Sequence, residues 1–309
     1  MKLLLVILVS LSFISSLHAN NASLLDSEVS LKSFGKIKYR APKVDSTEPP
    51  IVLFHGIYGG ASHRTWRQLV PGLEAAGKKV YIMDLPGVGE SEKPKRAYSL
   101  EDIDLFVEEF LETVVKLRAN LVSESILSNS VLRLASTRPD IVRRVIIINP
   151  SGISSLVDPP SAREQGLYDR LYANDEAAIA FYQNLLIPNS IKYFLSFSFY
   201  DDSLVDDELV SDFSIMRSNI DQRFLTLSFV GGQLYRSFED SSNGVFVPVL
   251  GIFGEKYEAF QDNEISTKDD FEAIRPYFEY VEIKDSGSSV QREKPQAVVD
   301  EIVKFTVLD

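Results

Sequence analysis

Cysteine is absent from the 309-residue sequence, and histidine is almost absent. Without cysteine the chain has no disulfide bond, no lipid anchor on cysteine, no thiol nucleophile and no thiolate metal site. The three histidines stand at positions 18, 55 and 63, outside any histidine-rich or histidine–carboxylate motif. We therefore expect no bound metal. The acidic run over residues 201–208 is more typical of solvated helix starts than of a weak calcium site.

Basic residues are also in deficit. Lys and Arg number 32 against 44 Asp and Glu, which gives a formal net charge of -12. Phosphate recognition needs clustered basic side chains, and no such cluster stands out, so nucleic acid is not an expected partner. An anionic membrane surface is unexpected for the same reason. No glycine-rich phosphate-binding fingerprint precedes a helix, and we expect no cofactor.

One long apolar run stands at the N terminus. Lys2 gives a positive start, residues 3–13 are nearly all apolar, and the small residue Ala19 ends the segment. This pattern predicts a secretory signal peptide over residues 1–19, cleaved after Ala19. The alternative is an uncleaved anchor, but the run is shorter than the about 20 residues that cross a bilayer. We expect an exported protein, periplasmic or secreted, without an integral membrane span after cleavage.

Beyond this segment, short apolar strand patterns alternate with amphipathic helical patterns. Ile51–Phe54 and Val145–Ile148 are typical of strands buried on both faces, and Ser99 with Asp102 resembles a helix-starting capping box. Further strands are predicted at the C-terminal end, over residues 245–253 and 278–283. Strands that alternate with helices predict an α/β fold with a mostly parallel sheet and helices on both faces.

The alternation stops near residue 150 and resumes near residue 245. The intervening residues have mainly helical patterns, and they include many aromatic residues. Because connections this long usually form a unit of their own, we expect an inserted helical cap over residues 155–243. The α/β core is then expected over residues 20–154 and 244–309.

Three loops carry a resemblance to a known family. They are residues 55–60 (HGIYGG), 84–91 (DLPGVGES) and 149–152 (NPSG), each directly after a predicted strand. In this order they resemble the α/β-hydrolase superfamily, in its capped esterase- or lipase-like branch. The resemblance implies an α/β-hydrolase fold. It also implies an oxyanion hole formed by the backbone N–H groups of Ile57 and Ile126.

The family's nucleophile stands in the motif G-x-S-x-G, on a tight turn from strand to helix. The matching residues 123–127 read Ser-Glu-Ser-Ile-Leu, which places Ser125 at the nucleophile position. Ser123 and Leu127 replace the two glycines. Since Leu127 is bulky, we expect a reshaped turn or a helix that stands further away. Ser125 is the candidate nucleophile, and a vestigial or hydrogen-bonding serine is the alternative.

The resemblance also gives the positions of the other two triad members. The family's acid follows the strand that ends at Phe253, where this sequence has Tyr257; Glu258, one residue later, is a weak substitute. The family's histidine comes seven residues before the proline that opens the last helix. Counting back from Pro295 gives Ser288. Both triad positions, Tyr257 and Ser288, therefore lack the family's side chain.

Two histidines remain after signal cleavage. His55 belongs to the predicted oxyanion loop, where the resemblance implies a structural role. His63 is a weak candidate for the general base at the edge of the pocket; otherwise it is a surface residue or a helix-start residue. A serine hydroxyl is a poor nucleophile without a base within hydrogen-bond reach.

Two functions stay open. In the first, the protein is a pseudo-hydrolase that uses a capped pocket to bind a small apolar or ester-like molecule, or a protein partner. In the second, it is a weak or unusual serine carboxylic-ester hydrolase that uses Ser125. Loss of a triad member still leaves about 10³–10⁴-fold catalysis over water. The sequence gives no indication of the oligomeric state.

Overall fold

The computed structural model describes residues 23–150, 160–236, 243–256 and 278–307. Eight strands form one sheet in the order β1-β2-β4-β3-β5-β6-β7-β8. They are β1 (Ser27–Leu31), β2 (Gly35–Arg40), β3 (Ile51–Phe54), β4 (Val80–Met83), β5 (Ala119–Glu124), β6 (Val142–Ile148), β7 (Val249–Lys256) and β8 (Phe278–Gly287). β2 pairs antiparallel with β1 and β4, and every pair from β4 to β8 is parallel. The predicted mostly parallel sheet is confirmed.

The α-helices in the described part of the chain lie between and after these strands. They are α1 (Leu69–Ala75), α2 (Leu100–Phe110), α3 (Leu127–Thr137), α4 (Ala162–Tyr172), α5 (Asp175–Leu185), α6 (Pro188–Ser198), α7 (Asp207–Ser214), α8 (Arg223–Val230), α9 (Val290–Glu293) and α10 (Pro295–Val307). The predicted capping box of α2 is present: Ser99 Oγ accepts from Asp102 N–H, and the Asp102 carboxylate accepts from Ser99 N–H.

The apolar runs of the central strands are explained by two cores, one on each face of the sheet. Side chains alternate in direction along a strand. Along β6, Ile147 accordingly packs in the core that contains Phe106 of α2. Its neighbour Ile146 packs in the core that contains Leu69 of α1 and Val299 of α10. A strand that contributes to both cores has no polar face.

Between β6 and β7, the described residues 160–236 are mainly helical. They contain α4 to α8 and no strand. We call α4 to α8 the helical segment. Its observed elements agree with the helical pattern read from the sequence, while the cap and its bounds at residues 155 and 243 stay predictions.

No helix in the described ranges is both long enough and apolar enough to cross a bilayer. The proposed signal peptide, residues 1–19, lies outside the described residues.

Candidate active site

Ser125 lies on the turn between β5 and α3, at the carboxyl edge of the parallel sheet. Its φ angle is +55°, in the left-handed region, which costs a non-glycine residue about 1–2 kcal/mol. Its N–H donates to the Ile148 carbonyl at 3.1 Å, and its carbonyl accepts from Ser128 N–H at 3.1 Å. A strained serine between a strand and a helix is the geometry of a nucleophile elbow.

The turn holds this geometry although glycine is absent from both flanking positions. Leu127, the first residue of α3, is buried in the core that includes α2. Ser123 is buried beneath the turn, and its hydroxyl donates to Ser128 Oγ at 3.4 Å. The bulky leucine is therefore absorbed by core packing, and Ser125 keeps the left-handed conformation instead of the reshaped turn expected from the sequence.

The predicted oxyanion loop is attached to the residue just before Ser125. Glu124 Oε1 accepts from the backbone N–H of Gly56 at 2.8 Å and from the hydroxyl of Tyr58 at 2.9 Å. Ile57, a predicted oxyanion donor, lies between these two contacts. The other predicted donor, Ile126, is two residues after Glu124. Both isoleucines are buried.

Glu124 is buried and belongs to a larger polar network. Gln291 of α9 donates from Nε2 to Glu124 Oε2. Arg292 donates to Thr65 Oγ1 at 3.2 Å, and Thr65 Oγ1 is 3.2 Å from the Tyr58 hydroxyl oxygen. Burial raises the pKa of Glu124, while the Gly56 N–H and the Arg292 charge partly oppose this rise. Burial and then the Glu124 charge raise the pKa of Tyr58.

Ser288, where the resemblance implies the family's histidine, is held at the same edge of the sheet. Asn149, at the end of β6 with a φ angle of +41°, donates from Nδ2 to the Ser288 carbonyl at 2.8 Å. Asn149 Oδ1 accepts from Gly254 N–H in β7 at 3.0 Å. One amide therefore ties together the ends of β6, β7 and β8, and it fixes the backbone that carries Ser288. Tyr257 and Glu258 lie outside the described residues.

His55 is fully buried, and both ring nitrogens are engaged. Nε2 accepts from Leu85 N–H at 3.2 Å, so Nδ1 must carry the proton and donate to the Gly56 carbonyl at 2.8 Å. Burial lowers the pKa of His55, which favours this neutral form. The ring ties the oxyanion loop to the loop after β4, and this geometry agrees with the structural role that the resemblance implies.

His63 lies in a different place from the one expected. It does start a short 3₁₀ helix (His63–Trp66), but it is only 1% exposed and is not at a pocket mouth. Its Nδ1 lies 3.0 Å from each carboxylate oxygen of Asp84, because that buried carboxylate needs donors. Its Nε2 makes no hydrogen bond, so Ser125 Oγ is not its partner. This arrangement gives no support to His63 as the general base.

Two clusters of acidic residues have the side chains of a cation site, and in both the carboxylates are engaged by backbone N–H groups. His63, Asp84 and Glu90 have ligand atoms within 4.8 Å of one another. The Asp84 oxygens already accept from the backbone N–H groups of His63 and Glu90, each at 2.7 Å, so the group stabilises its loop. In the acidic run over residues 201–208, Asp206 accepts from Leu209 N–H as the N-cap of α7. That run therefore includes a helix start, as expected.

The architecture and the elbow are those of a known family. The family model of the alpha/beta hydrolase fold matches residues 49–223, which is more than half of the chain. The protein belongs to the α/β-hydrolase family.

Individual α/β hydrolases are similar at lower coverage or lower identity. 2-Hydroxymuconate semialdehyde hydrolase of Pseudomonas sp. (strain CF600) is 28% identical over 158 residues, 45% of this chain and 55% of that protein. The chain thus spans about half the length of this relative. The enol-lactonase of Burkholderia xenovorans LB400 has a TM-score of 0.71 at 19% identity, over 91% of this chain and all of that one. A bacterial membrane phospholipase A has a TM-score of 0.67 at 19% identity, over 99% and 98%.

Within this α/β hydrolase, the structure brings Ser125, the oxyanion loop and the Ser288 backbone to one sheet edge. The sequence reading missed Glu124 and Gln291, although both contact this edge. A signal for Glu124 is present in the sequence, since it is the only charged residue of β5, and it directly precedes Ser125. Gln291 carries no such signal, because its contact with Glu124 joins residues 167 positions apart.

Proposed function

We propose that this α/β-hydrolase-fold protein is an exported pseudo-hydrolase that binds a small apolar or ester-like molecule. The observation that supports it most is Ser288. Asn149 holds the backbone of Ser288 at the carboxyl edge of the sheet, and the resemblance implies the family's histidine at this residue. The sequence has three histidines. His55 and His63 are engaged in loop contacts, and His18 belongs to the proposed signal peptide.

The chemical consequence concerns the Ser125 hydroxyl. It becomes a good nucleophile only when a base removes its proton, and histidine is the base that this family uses. Without one, binding and oxyanion stabilisation are the functions that the rest of the site supports. The N–H groups of Ile57 and Ile126 would then receive the carbonyl oxygen of a ligand.

The ligand class is suggested by the surroundings of this site. Phe213 of α7 stacks on Tyr58 of the oxyanion loop, with ring centroids 6.2 Å apart, so the helical segment reaches the site with an aromatic side chain. An apolar body with a carbonyl group suits such surroundings. The names of two similar structures, a lactonase and a phospholipase, also point to ester-bearing molecules. A protein partner is a further possibility for the same surface.

A second function is favoured by one observation. Ser125 keeps a strained left-handed backbone, and strain of this kind concentrates at functional sites. This supports a weak serine carboxylic-ester hydrolase, in which Ser125 is the nucleophile and Glu258 a weak candidate for the acid.

Covalent labelling separates the two functions. The protein and Ser125→Ala are incubated with an alkyl fluorophosphonate, and adducts are located by mass spectrometry. The pseudo-hydrolase proposal expects no Ser125 adduct above the alanine control, together with a thermal shift of both proteins by non-hydrolysable amide analogues of alkyl esters. An adduct at Ser125 that forms within minutes supports the hydrolase instead. Absence of any thermal shift across the analogue series contradicts ligand binding.

A further inference from the structure

We propose that Glu124 is a positioning residue that holds the two halves of the predicted oxyanion hole in register. This proposal rests on the ligand site proposed above, because it describes how that site is kept in shape. Glu124 itself touches no ligand in this account and acts through the backbone of its neighbours.

The first step is that Glu124 fixes the oxyanion loop on both sides of Ile57. Its Oε1 accepts from Gly56 N–H at 2.8 Å, immediately before Ile57, and from Tyr58 Oη at 2.9 Å, immediately after it. An N–H group that is to bind an oxyanion must be held within a few tenths of an ångström of its position. The Gly56 bond fixes the backbone just before Ile57, and the Tyr58 bond anchors the loop through a side chain just after it. Together they restrict movement of the Ile57 peptide.

The second step is that the same side chain belongs to the strand that carries the other donor. Glu124 is the last residue of β5, and the strained turn at Ser125 leads directly to Ile126. The β5 backbone is fixed by parallel pairing with β3 and β6. One rigid residue therefore sets the distance between the N–H groups of Ile57 and Ile126.

The third step is that Glu124 also reaches the loop after β8. Gln291 of α9 donates to its second oxygen, three residues after Ser288. Gln291 Oε1 has no hydrogen-bond partner. Three separate segments thus meet on one carboxylate: the oxyanion loop, the elbow and the start of α9.

A purely structural role explains this arrangement poorly. Burial of a carboxylate carries a desolvation penalty, and a well-packed apolar residue is often as stable or more stable. An apolar residue at position 124 would leave the buried Gly56 N–H without this acceptor. The carboxylate is thus suited to fixing a backbone rather than to maximal stability.

The test compares Glu124→Gln, Glu124→Ala and Tyr58→Phe. Glutamine keeps the Oε1 acceptor, and its amide nitrogen can donate to Gln291 Oε1 once the Gln291 amide rotates by half a turn. Alanine removes the acceptor, and Tyr58→Phe removes one of its two loop contacts without changing the fold of the elbow. Each protein is probed by amide exchange at Gly56 and by binding of two ligands. One is an alkyl boronic acid at a pH above its own pKa, where it adds a water molecule and releases a proton to become a tetrahedral anion without a bond to Ser125. The other is a neutral alkyl amide.

We expect Gly56 exchange in Glu124→Ala to rise about tenfold or more, as for a lost hydrogen bond, while exchange in β6 stays unchanged. Boronic acid affinity should fall about tenfold and amide affinity less than threefold, with rescue of both readouts in Glu124→Gln. Unchanged Gly56 exchange, or equal losses for both ligands, overturns the proposal. If Glu124→Ala fails to fold, Tyr58→Phe decides the test: smaller changes in the same direction, in Gly56 exchange and in boronic acid affinity, support the proposal, and unchanged values overturn it. If the wild type binds neither ligand, the proposed function fails, while Gly56 exchange still tests Glu124.

Discussion

Backbone strain at Ser125 is the first property that can be measured at the scale of a single residue. Replacement by glycine relieves a left-handed conformation that costs about 1–2 kcal/mol, and replacement by alanine does not. Part of this gain is offset by the greater freedom of glycine in the unfolded chain, about 0.4–1 kcal/mol. We therefore predict that Ser125→Gly is more stable than Ser125→Ala by about 0.5–1 kcal/mol in urea unfolding. A more stable alanine variant would show that the turn is unstrained.

Glu124 gives a prediction about pH. Burial raises its pKa above the 4.5 of an exposed glutamate, so the folded protein binds this proton more tightly than the unfolded chain. The resulting stabilisation is complete below pH 4.5 and is lost as the pH rises through the folded pKa. The charged and titratable groups facing it are Tyr58 and Arg292. Burial raises the pKa of Tyr58, so its hydroxyl does not titrate in this window.

The measurement compares wild type with Glu124→Gln, which lacks the titrating group at the same site. We predict that the unfolding free energy of wild type minus that of the variant falls with rising pH above 4.5 and then levels off. A difference that is flat or rises over this range would mean that Glu124 keeps an ordinary or lowered pKa.

At this scale the sequence was informative wherever a side chain belongs to a local motif. The predictions for Ile57, Ser125 and Ser288 rest on such motifs: the loop after β3, the elbow and the spacing before Pro295. Contacts between distant segments could not be predicted from the sequence. His63 is the example: nothing next to it in the chain indicates that Asp84, 21 residues later, holds its ring in the interior.

At the scale of secondary-structure elements, the end of β8 and the end of α6 are in close contact. A Cβ atom added to Gly287 would lie 2.6 Å from the Ser198 carbonyl oxygen and 3.1 Å from Tyr200 N, both backbone atoms. Ser289 N–H also donates to that carbonyl at 3.0 Å. We predict that Gly287→Ala lowers the unfolding free energy by about 1–3 kcal/mol, because the helix end must move away.

Gly166, inside α4, is the matched control for this substitution. A Cβ atom there meets nothing within 4 Å, and alanine favours a helix interior over glycine by about 1 kcal/mol. Gly166→Ala should therefore stabilise the protein in the same urea experiment. Equal effects of the two substitutions would contradict the close packing of α6 on the end of β8.

Strand and helix patterns were sufficient for the order of the elements, and their ends were less predictable. β7 begins at Val249 rather than at residue 245, after Pro248, which has no N–H to donate to a ladder. β8 runs to Gly287 rather than ending at Ile283, because Lys256 of β7 pairs with Gly287 beyond an irregularity in register. These bounds depend on the neighbouring strand and not on the strand's own pattern.

At the scale of the whole molecule, the protein belongs to the α/β-hydrolase family and has only three histidines. It has the sheet of an α/β hydrolase and a strained serine on the turn after β5, and we propose that Ser288 stands where the family has its base. The fold was predictable because the loops over residues 55–60, 84–91 and 149–152 follow one another in the order found in the family. The identity of the proposed ligand was not predictable, because the proposed site combines side chains from α7, α9 and the predicted oxyanion loop.

Ester turnover tests this account most directly. The purified protein and Ser125→Ala are assayed with 4-nitrophenyl esters of increasing acyl length, and circular dichroism establishes that both are folded. The account predicts equal rates for the two proteins on every ester, at or near the rate of the buffer. Turnover by wild type that is abolished in Ser125→Ala would contradict it, and would mean that another group activates Ser125.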